Sequence, residues 1–220
     1  EAKRDVDGVE ALQNAIYLIG AQKAGSTYLH NLLDQAVPEL RQGRIKEVHY
    51  FTSNRYQRLP IADLFPGARP GQTLLDSSTS YLHNPEYAKR ILKVAGANVP
   101  IIAVIRNPVK RITSAYLHRR KHGTETRSLR EVLDLPVTSY EALRKMEMER
   151  AAKALSAGRI VARSPRPWPQ ELKESDYENP LWNFGYVSNS FYWAQSEQFR
   201  LNFRNVTIIN MENLINDPRA

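Results

Sequence analysis

Cysteine is absent from the 220-residue chain, and long apolar runs are absent as well. The first absence excludes disulfides, thiolate metal sites and a cysteine nucleophile. Because no apolar stretch approaches the roughly 20 residues that cross a bilayer, the sequence predicts no membrane-spanning helix in this segment. Nothing near Glu1 resembles a secretory signal. We therefore expect a cytoplasmic protein, unless a leader precedes Glu1.

Acidic residues are scarce relative to basic ones. The chain has 23 Asp and Glu against 31 Lys and Arg, which gives a formal net charge of +8. The excess indicates an anionic partner, and nucleic acid, a membrane surface, an anionic polysaccharide and a polyphosphorylated cofactor fit it equally well. With 42% hydrophobic residues, no internal repeat and a length suited to one core, the sequence predicts a single globular domain over residues 1–220.

A short apolar run, a loop and an apolar pattern of helical spacing follow one another in residues 16–33. In this predicted strand, loop and helix, Gly20 lets the backbone turn and Gly25 lets it approach a ligand. Lys23 adds positive charge to the N–H groups of the helix start, which favours an anion. The nearest pattern is G-x-x-x-x-G-K-[ST], but Ser26 stands where that lysine should be. The loop therefore indicates phosphate or phosphosulfate binding, with an ordinary strand-to-helix turn as the alternative.

A second anion site is predicted at the end of the apolar run 101–105, which is typical of a parallel strand buried on both faces. Arg106 stands at the carboxyl end of this strand, where open α/β sheets bind ligands. Asn107-Pro108 then opens a helix to about residue 121, with Ser114 about two turns in. Arg106 and Ser114 can converge on one anion. The alternative is that Arg106 pairs with an acidic neighbour.

The segment 46–51 begins with Lys46 and Glu47 and continues as an apolar, aromatic run. If the run is buried, Lys46 and Glu47 lie at the point where the chain enters the interior of the protein. Without other motifs, Glu47 would be interpreted as a surface carboxylate that pairs with Lys46.

The remaining elements are predicted from periodicity and breakers. They are a polar lead-in at 1–14, a strand at 73–76, a helix at 85–95 capped by Asn84 and ended by Gly96, a short helix at 128–135, a helix from a Thr138–Glu141 capping box to about 157, a functional surface loop at 158–185, a helix at 190–203, a buried strand at 206–209 and a final turn from 212. Together they indicate an α/β fold, with a central, mostly parallel sheet flanked by helices and a P-loop-like strand-loop-helix.

Three separated motifs resemble those of the sulfotransferases that use 3′-phosphoadenosine 5′-phosphosulfate (PAPS), most closely the branch of heparan sulfate N- and 3-O-sulfotransferases and bacterial relatives. G-A-Q-K-A-G-S-T at 20–27 resembles the 5′-phosphosulfate loop, and K-E-V-H-Y-F at 46–51 resembles the catalytic K/N-E-x-H-F-F segment. R-N-P-V-K-R-I-T-S at 106–114 resembles the 3′-phosphate segment R-[DN]-P-x-x-R-x-x-S. The resemblance covers about residues 16–218, except for an unplaced region at 124–185.

The resemblance implies a role for each matching residue. The residues implied for cofactor binding are Gln22, Lys23, Ala24, Gly25, Ser26 and Thr27 at the phosphosulfate, and Arg106 and Ser114 at the 3′-phosphate. Glu47 is implied as catalytic base, and Lys23 and Lys46 as cations at the leaving phosphate. Candidate acceptor-binding residues are His49, Ser77, Arg119, Trp168 and Trp182.

The chain departs from the heparan enzymes in two places. Ser77 stands where they have lysine in an E-K-[ST]-x-x-Y stretch, and D-S-S-T-S-Y at 76–81 is closer to the E-A-S-P-x-Y form of bacterial relatives. Lys46 is expected to replace that lysine in part. The family's basic, glycine-containing loop near the C-terminus has no counterpart before Ala220, so we expect part of the C-terminal region to be missing.

The predicted reaction is transfer of a sulfuryl group from PAPS, which leaves 3′-phosphoadenosine 5′-phosphate (PAP), to a hydroxyl or amine. We expect no metal, because a sulfuryl group carries less charge than a terminal phosphoryl group. The acceptor is expected to be a small molecule or an oligosaccharide, with anionic acceptors among the candidates, and not nucleic acid. An excised domain of this kind would belong in the Golgi lumen. The alternatives are a P-loop nucleotide kinase and a non-catalytic polyanion-binding domain.

Overall fold

The computed structural model describes residues 2–54, 56–136, 139–162 and 180–216. The strands are β1 (Ala15–Gly20), β2 (Arg41–Gln42), β3 (Leu74–Asp76), β4 (Ile101–Ile105) and β5 (Val206–Asn210). The helices are α1 (Ala2–Gln13), α2 (Ser26–Ala36), α3 (Ile61–Leu64), α4 (Pro85–Ala95), α5 (Pro108–Lys121), α6 (Leu129–Leu133), α7 (Tyr140–Ser156), α8 (Tyr192–Asn202) and α9 (Met211–Asn216). Across these ranges, no helix combines the length and apolarity needed to cross a membrane.

The strands within the described ranges form one parallel sheet in the order β2-β3-β1-β4-β5. Tyr17 of β1 is in register with Asp76 of β3 on one side and with Ile101 of β4 on the other. The predicted α/β fold with a central, mostly parallel sheet is confirmed. Because β1 lies between β3 and β4, the loops that leave all three strands meet at one edge, which is where such sheets bind ligands.

The centre of the sheet is buried because its strands are continuously apolar. Leu18 and Ile19 of β1 and Val104 of β4 have no exposed surface. An aromatic cluster extends this core below the 47–51 segment: the Phe51 ring lies 5.8 Å from the Tyr17 ring and 5.7 Å from the Tyr81 ring, both edge-on. This packing attaches the segment to the sheet.

Helices α4 and α5 begin as the sequence predicts. Asn84 Oδ1 accepts a hydrogen bond from Glu86 N (3.1 Å), and Gly96, at φ 83°, ends α4. Asn107 Oδ1 accepts from Lys110 N (3.2 Å) at the start of α5. Because α5 begins three residues after β4, its first turns lie beside the ligand edge of the sheet.

Two predictions near the chain ends are wrong. Residues 1–14 are not a lead-in, because Ala2–Gln13 forms α1, whose Leu12 is buried and accepts a hydrogen bond on its carbonyl from Tyr17 Oη (2.8 Å). Strand β5 exists as predicted but is not buried; it lies at the edge of the sheet, and Ile208 is 39% exposed. The predicted final turn is helix α9.

Two further predictions are corrected between α5 and α8. Thr138 lies outside the described residues, and the cap of α7 is Ser139, whose Oγ accepts from Ala142 N (3.2 Å), so no capping box forms with Glu141. The predicted surface loop 158–185 lies largely outside the described residues, and Pro180–Phe184 forms a 3₁₀ turn in which Trp182 is buried.

Candidate active site

The loop between β1 and α2 has a backbone shape that few residues tolerate. Lys23 has φ 63° and Gly25 has φ 104°, and Ala21 N donates to Val104 O of β4 (2.7 Å). A Cβ on Gly25 would lie 2.2 Å from Met211 Sδ. The positive φ of Gly25 requires glycine here, and the Met211 side chain would have to move to admit a Cβ. The close approach of a ligand at Gly25 stays a prediction.

The loop delivers its polar groups to the start of α2, a helix with no acidic residue in its first turn. Ser26 is buried at the first helical position and Thr27 is exposed beside it. A helix N-terminus without acidic side chains has the positive end of its dipole available for an anion.

Arg111 braces this loop from inside the protein. Its side chain is 1% exposed; Nε donates to Ser190 Oγ (2.6 Å), Nη1 to Gln22 O (3.5 Å) and Nη2 to Tyr186 O. Burial lowers the pKa of Arg111. Gln22 also donates through Nε2 to Asn183 Oδ1 (2.6 Å). The sequence analysis gave Arg111 no role, although it is the second arginine of the R-N-P-V-K-R motif.

A compact polar cluster joins the loop to the 46–51 segment. Lys46 Nζ lies 3.3 Å from Ser26 Oγ, 3.3 Å from Glu47 Oε1 and 3.4 Å from the carbonyl oxygen of Ser77. Thr79 Oγ1 donates to Glu47 Oε2 (3.1 Å). The Glu47 side chain is 21% exposed. Glu47 is thus both paired with Lys46 and open to the outside of the site.

His49 and Ser77 flank this cluster on opposite sides. His49 Nε2 lies 3.7 Å from Glu47 Oε2, and its Nδ1 lies 3.0 Å from Ser80 Oγ. Ser77 is fully buried, and its Oγ lies 2.8 Å from His30 Nδ1. Burial, and then the charge of Lys46, lower the pKa of His30. The Ser77 hydroxyl therefore contacts the buried imidazole of His30. The ammonium group of Lys46 lies beside the Ser77 carbonyl oxygen.

An open groove of about 570 Å³ runs along α5 from the loop. Its lining residues are Lys23, Arg106, Val109, Lys110, Thr113, Ser114, Leu117, His118 and Lys121. Arg106 Nη1 donates to the carbonyl oxygen of Lys23 (3.5 Å), and Tyr192 Oη donates to the Arg106 carbonyl oxygen (2.9 Å). The structure thus brings Lys23, Arg106 and Ser114 to one basic groove.

The other candidate acceptor residues are not brought to the cluster. Arg119 is 3% exposed, and its guanidinium carbon lies 5.6 Å from the centre of the Phe184 ring. Trp182 is 4% exposed and stacks on His83 at 4.8 Å. Trp168 lies outside the described residues. Arg119 and Trp182 therefore pack inside the protein.

In the part of the chain that the structure describes, no group of three or more His, Asp and Glu side chains is arranged to hold a metal ion. The cationic groups at the ligand edge of the sheet are instead Lys23, Lys46 and Arg106, which lie on three different loops. An anion held at this edge would meet ammonium and guanidinium groups from several directions.

Comparisons with known proteins indicate the family of the chain. Residues 13–219 match the family model described as the sulfotransferase domain. The crystal structure of a sulfotransferase from Alicyclobacillus acidocaldarius is similar, with a TM-score of 0.63 and 26% sequence identity over 93% of this chain and 75% of that one. A comparison with curated proteins found no match. Because this domain match covers nearly the whole length of the chain, the chain belongs to the sulfotransferase family and is a sulfotransferase enzyme.

Proposed function

We propose that this sulfotransferase takes the sulfuryl group from PAPS and passes it to a hydroxyl or amine of a carbohydrate acceptor, with Glu47 as general base. The observation that carries the proposal is the position of Lys46 Nζ, 3.3 Å from both Ser26 Oγ and Glu47 Oε1. One ammonium group thereby connects the anion-binding loop to a carboxylate that can accept a proton.

The described residues fit the two anionic ends of the donor. Residues 22–27 and the start of α2 would hold the 5′-phosphosulfate by backbone N–H groups, hydroxyls and the charge of Lys23. Arg106 and Ser114 would hold the 3′-phosphate in the groove along α5, whose volume of about 570 Å³ exceeds that of a single phosphate group. The contact between Arg106 and the Lys23 carbonyl oxygen joins the groove to the loop, which supports this assignment.

Glu47 has the geometry of a base that acts on an acceptor from the open side of the site. As the acceptor oxygen or nitrogen forms its bond to sulfur, Glu47 takes the proton, because a neutral alcohol is a weak nucleophile. The bond between sulfur and the bridging oxygen breaks, and its electron pair stays on the phosphate. Thr79 holds Oε2 of Glu47, so the carboxylate is oriented before the acceptor arrives.

Lys46 and Lys23 would stabilise the negative charge that grows on the leaving phosphate. Cations placed in advance at such a position lower the barrier in the manner of an oxyanion hole. A transferred sulfuryl group carries less charge than a terminal phosphoryl group, so we propose that these lysines suffice without a metal ion.

The acceptor class is proposed from charge and resemblance. The net charge of +8 favours an anionic acceptor, and the motifs at 20–27, 46–51 and 106–114 resemble those of a branch that includes carbohydrate-modifying enzymes. Acidic oligosaccharides are therefore the first acceptors to test, followed by small hydroxyl compounds.

The test combines nucleotide binding with transfer. Calorimetric titration with PAP should give binding at one site, and labelled PAPS should transfer its sulfuryl group to at least one acidic oligosaccharide. Glu47→Gln should lower the transfer rate by roughly 100- to 10,000-fold and leave the Kd of PAP within about twofold. Glu86→Gln, on the outer surface of α4, is the matched control and should behave as wild type. Absence of PAP binding would refute the donor, and full activity of Glu47→Gln would refute the base.

A further inference from the structure

We propose that Asp76 is a positioning residue that aligns Glu47 for proton transfer, acting through the hydroxyl groups of Ser78 and Tyr81. The inference rests on the proposed role of Glu47 as base. Asp76 is the last residue of β3 and has no exposed surface, so it acts through other groups and not on the substrate itself.

The Asp76 carboxylate is bound by the turn that follows it. Oδ1 accepts from Ser78 N (3.1 Å) and from Ser78 Oγ (2.5 Å), and Oδ2 accepts from Tyr81 Oη (2.6 Å). Hydrogen bonds to a charged group are stronger than those between neutral groups. The carboxylate therefore fixes the shape of the 77–81 turn.

Each of the two hydroxyls also binds the backbone of the 47–51 segment. Ser78 Oγ accepts from His49 N (2.9 Å), and Tyr81 Oη accepts from Phe51 N (3.3 Å). A hydroxyl has one hydrogen to donate. Because both backbone partners are donors, each hydroxyl must direct its own hydrogen at Asp76. The negative charge of Asp76 thus sets the direction of both hydrogen bonds.

The position of Glu47 depends on both the 77–81 turn and the 47–51 segment. Thr79, which donates to Glu47 Oε2, lies in the turn between the two hydroxyl residues. On the other side, His49 has φ 56°, an unfavourable conformation for a residue other than glycine. The hydrogen bond from His49 N to Ser78 helps to hold that conformation two residues after Glu47. If the carboxylate is lost, Glu47 and its partner Thr79 are both released.

The charge on Asp76 can be tested by titration. Burial raises the pKa of Asp76 to about 6, so the residue is ionised at neutral pH and becomes protonated in mild acid. Burial also raises the pKa values of the neighbouring Tyr17 and Tyr81 well above their usual range, so both stay neutral. The nearby charged groups on the facing segment are Glu47, Lys46 and, when protonated, His49.

The experiment measures kcat and KM for PAPS, and the Kd of PAP, in Asp76→Asn. An amide of the same shape cannot accept at both atoms, so kcat should fall roughly 10- to 100-fold through misplacement of the base. KM for PAPS and the Kd of PAP should stay within about twofold. In the wild type kcat should fall as the pH drops through about 6, and this fall should be missing in Asp76→Asn. Asp63→Asn, an exposed position on α3, is the matched control.

Ser78→Ala and Tyr81→Phe keep the inference testable if Asp76→Asn does not fold. Each substitution should lower kcat and leave PAP binding unchanged. The decrease in kcat should be larger for Ser78→Ala, because its partner His49 is nearer to Glu47 in the chain than Phe51, the partner of Tyr81. If Glu47→Gln is inactive, wild-type kcat in a folded Asp76→Asn, or in both Ser78→Ala and Tyr81→Phe, would overturn this inference and leave the proposed function standing. Full activity of Glu47→Gln would overturn the proposed function and this inference together.

Discussion

The charged groups of the reacting end of the site, around Lys46 and Glu47, are more buried than those of its other end, the groove along α5. At the reacting end, the side chains of Lys46 and Glu47 are 10% and 21% exposed, and Asp76 is fully buried. Along the α5 groove, Lys110 is 60% exposed and meets Glu212 only at 3.7 Å. Proton transfer needs atoms at fixed positions, whereas holding a phosphate needs mainly positive charge nearby. The difference predicts that substitutions at the reacting end change rates, and that substitutions along the groove change affinity.

After that of Glu47→Gln, the largest effect is expected for Lys46→Met. Removal of the ammonium between the loop and Glu47 should lower kcat by roughly 100- to 1,000-fold, as for loss of one group that stabilises developing charge. The Kd of PAP should change less than tenfold. Steady-state kinetics and calorimetry measure the two effects separately. Lys89→Met, at an exposed position on α4, is the control. A variant with normal kcat and weak PAP binding would place Lys46 with the groove and not with the reacting end.

The buried carboxylate of Asp76 should make stability depend on pH. Its pKa is about 6 in the folded protein against an ordinary value of 3.8. Between these values Asp76 binds more protons in the folded state than in the unfolded state, so its contribution to the free energy of unfolding should decrease by about 3 kcal/mol as the pH rises from 3.5 to 6.5. Burial lowers the pKa of His83 to about 3, which has the opposite effect in this range. The contribution of Asp76 is therefore measured by urea unfolding as the stability of the wild type relative to Asp76→Asn, which should decrease as the pH rises. Parallel curves for the two proteins would contradict the prediction.

Arg106→Ala should act on affinity at the groove. Loss of a charge-assisted hydrogen bond should weaken binding of PAP by roughly 10- to 100-fold. Binding of a 5′-nucleotide without the 3′-phosphate should change less than threefold, because Arg106 is proposed to contact only that group. Calorimetry with both nucleotides gives the comparison, and Arg204→Ala on the surface is the control. Equal loss for both would mean that Arg106 supports the loop through Lys23 instead.

The smallest effect is expected for Lys121→Gln at the far end of the groove. An exposed charge at this distance should change the Kd of PAP by about two- to threefold at low ionic strength, and the difference should vanish at high salt because exposed charges are screened. A titration series in increasing salt measures this. A large effect that persists in high salt would indicate a direct contact with the nucleotide.

The sequence predicts the sheet and the caps well, because these depend on local patterns. The apolar runs of β1 and β4 and the Asn-Pro pairs before α4 and α5 need only neighbours in the chain. The motifs also predict the family, whose domain match decides against a nucleotide kinase and a non-catalytic binding domain.

The parts that the sequence missed depend on distant contacts. Helix α1 is polar overall, and the burial of Leu12 against the core is visible only in the fold. Strand β5 has an apolar pattern, but its place at the sheet edge leaves Ile208 exposed. Arg111 and Asp76 both lie in motifs that the sequence shows, but Arg111 acts through partners that are far away in the chain, and the partners of Asp76 are known only once the 77–81 turn is built. Their roles are therefore visible only in the fold.

The central place of β1 has a consequence for how the protein acquires its structure. β1 pairs with β3 and β4 and not with β2, so its neighbours are far from it in the chain. Such non-local parallel pairing makes folding slow. On the ribosome, β3 is the first partner of β1 to emerge, and the other side of β1 stays unpaired until β4 has emerged. Only then can the Val104 carbonyl oxygen accept the Ala21 N–H and set the loop. A chain released before that point would expose the unpaired side of β1 as an edge that favours aggregation.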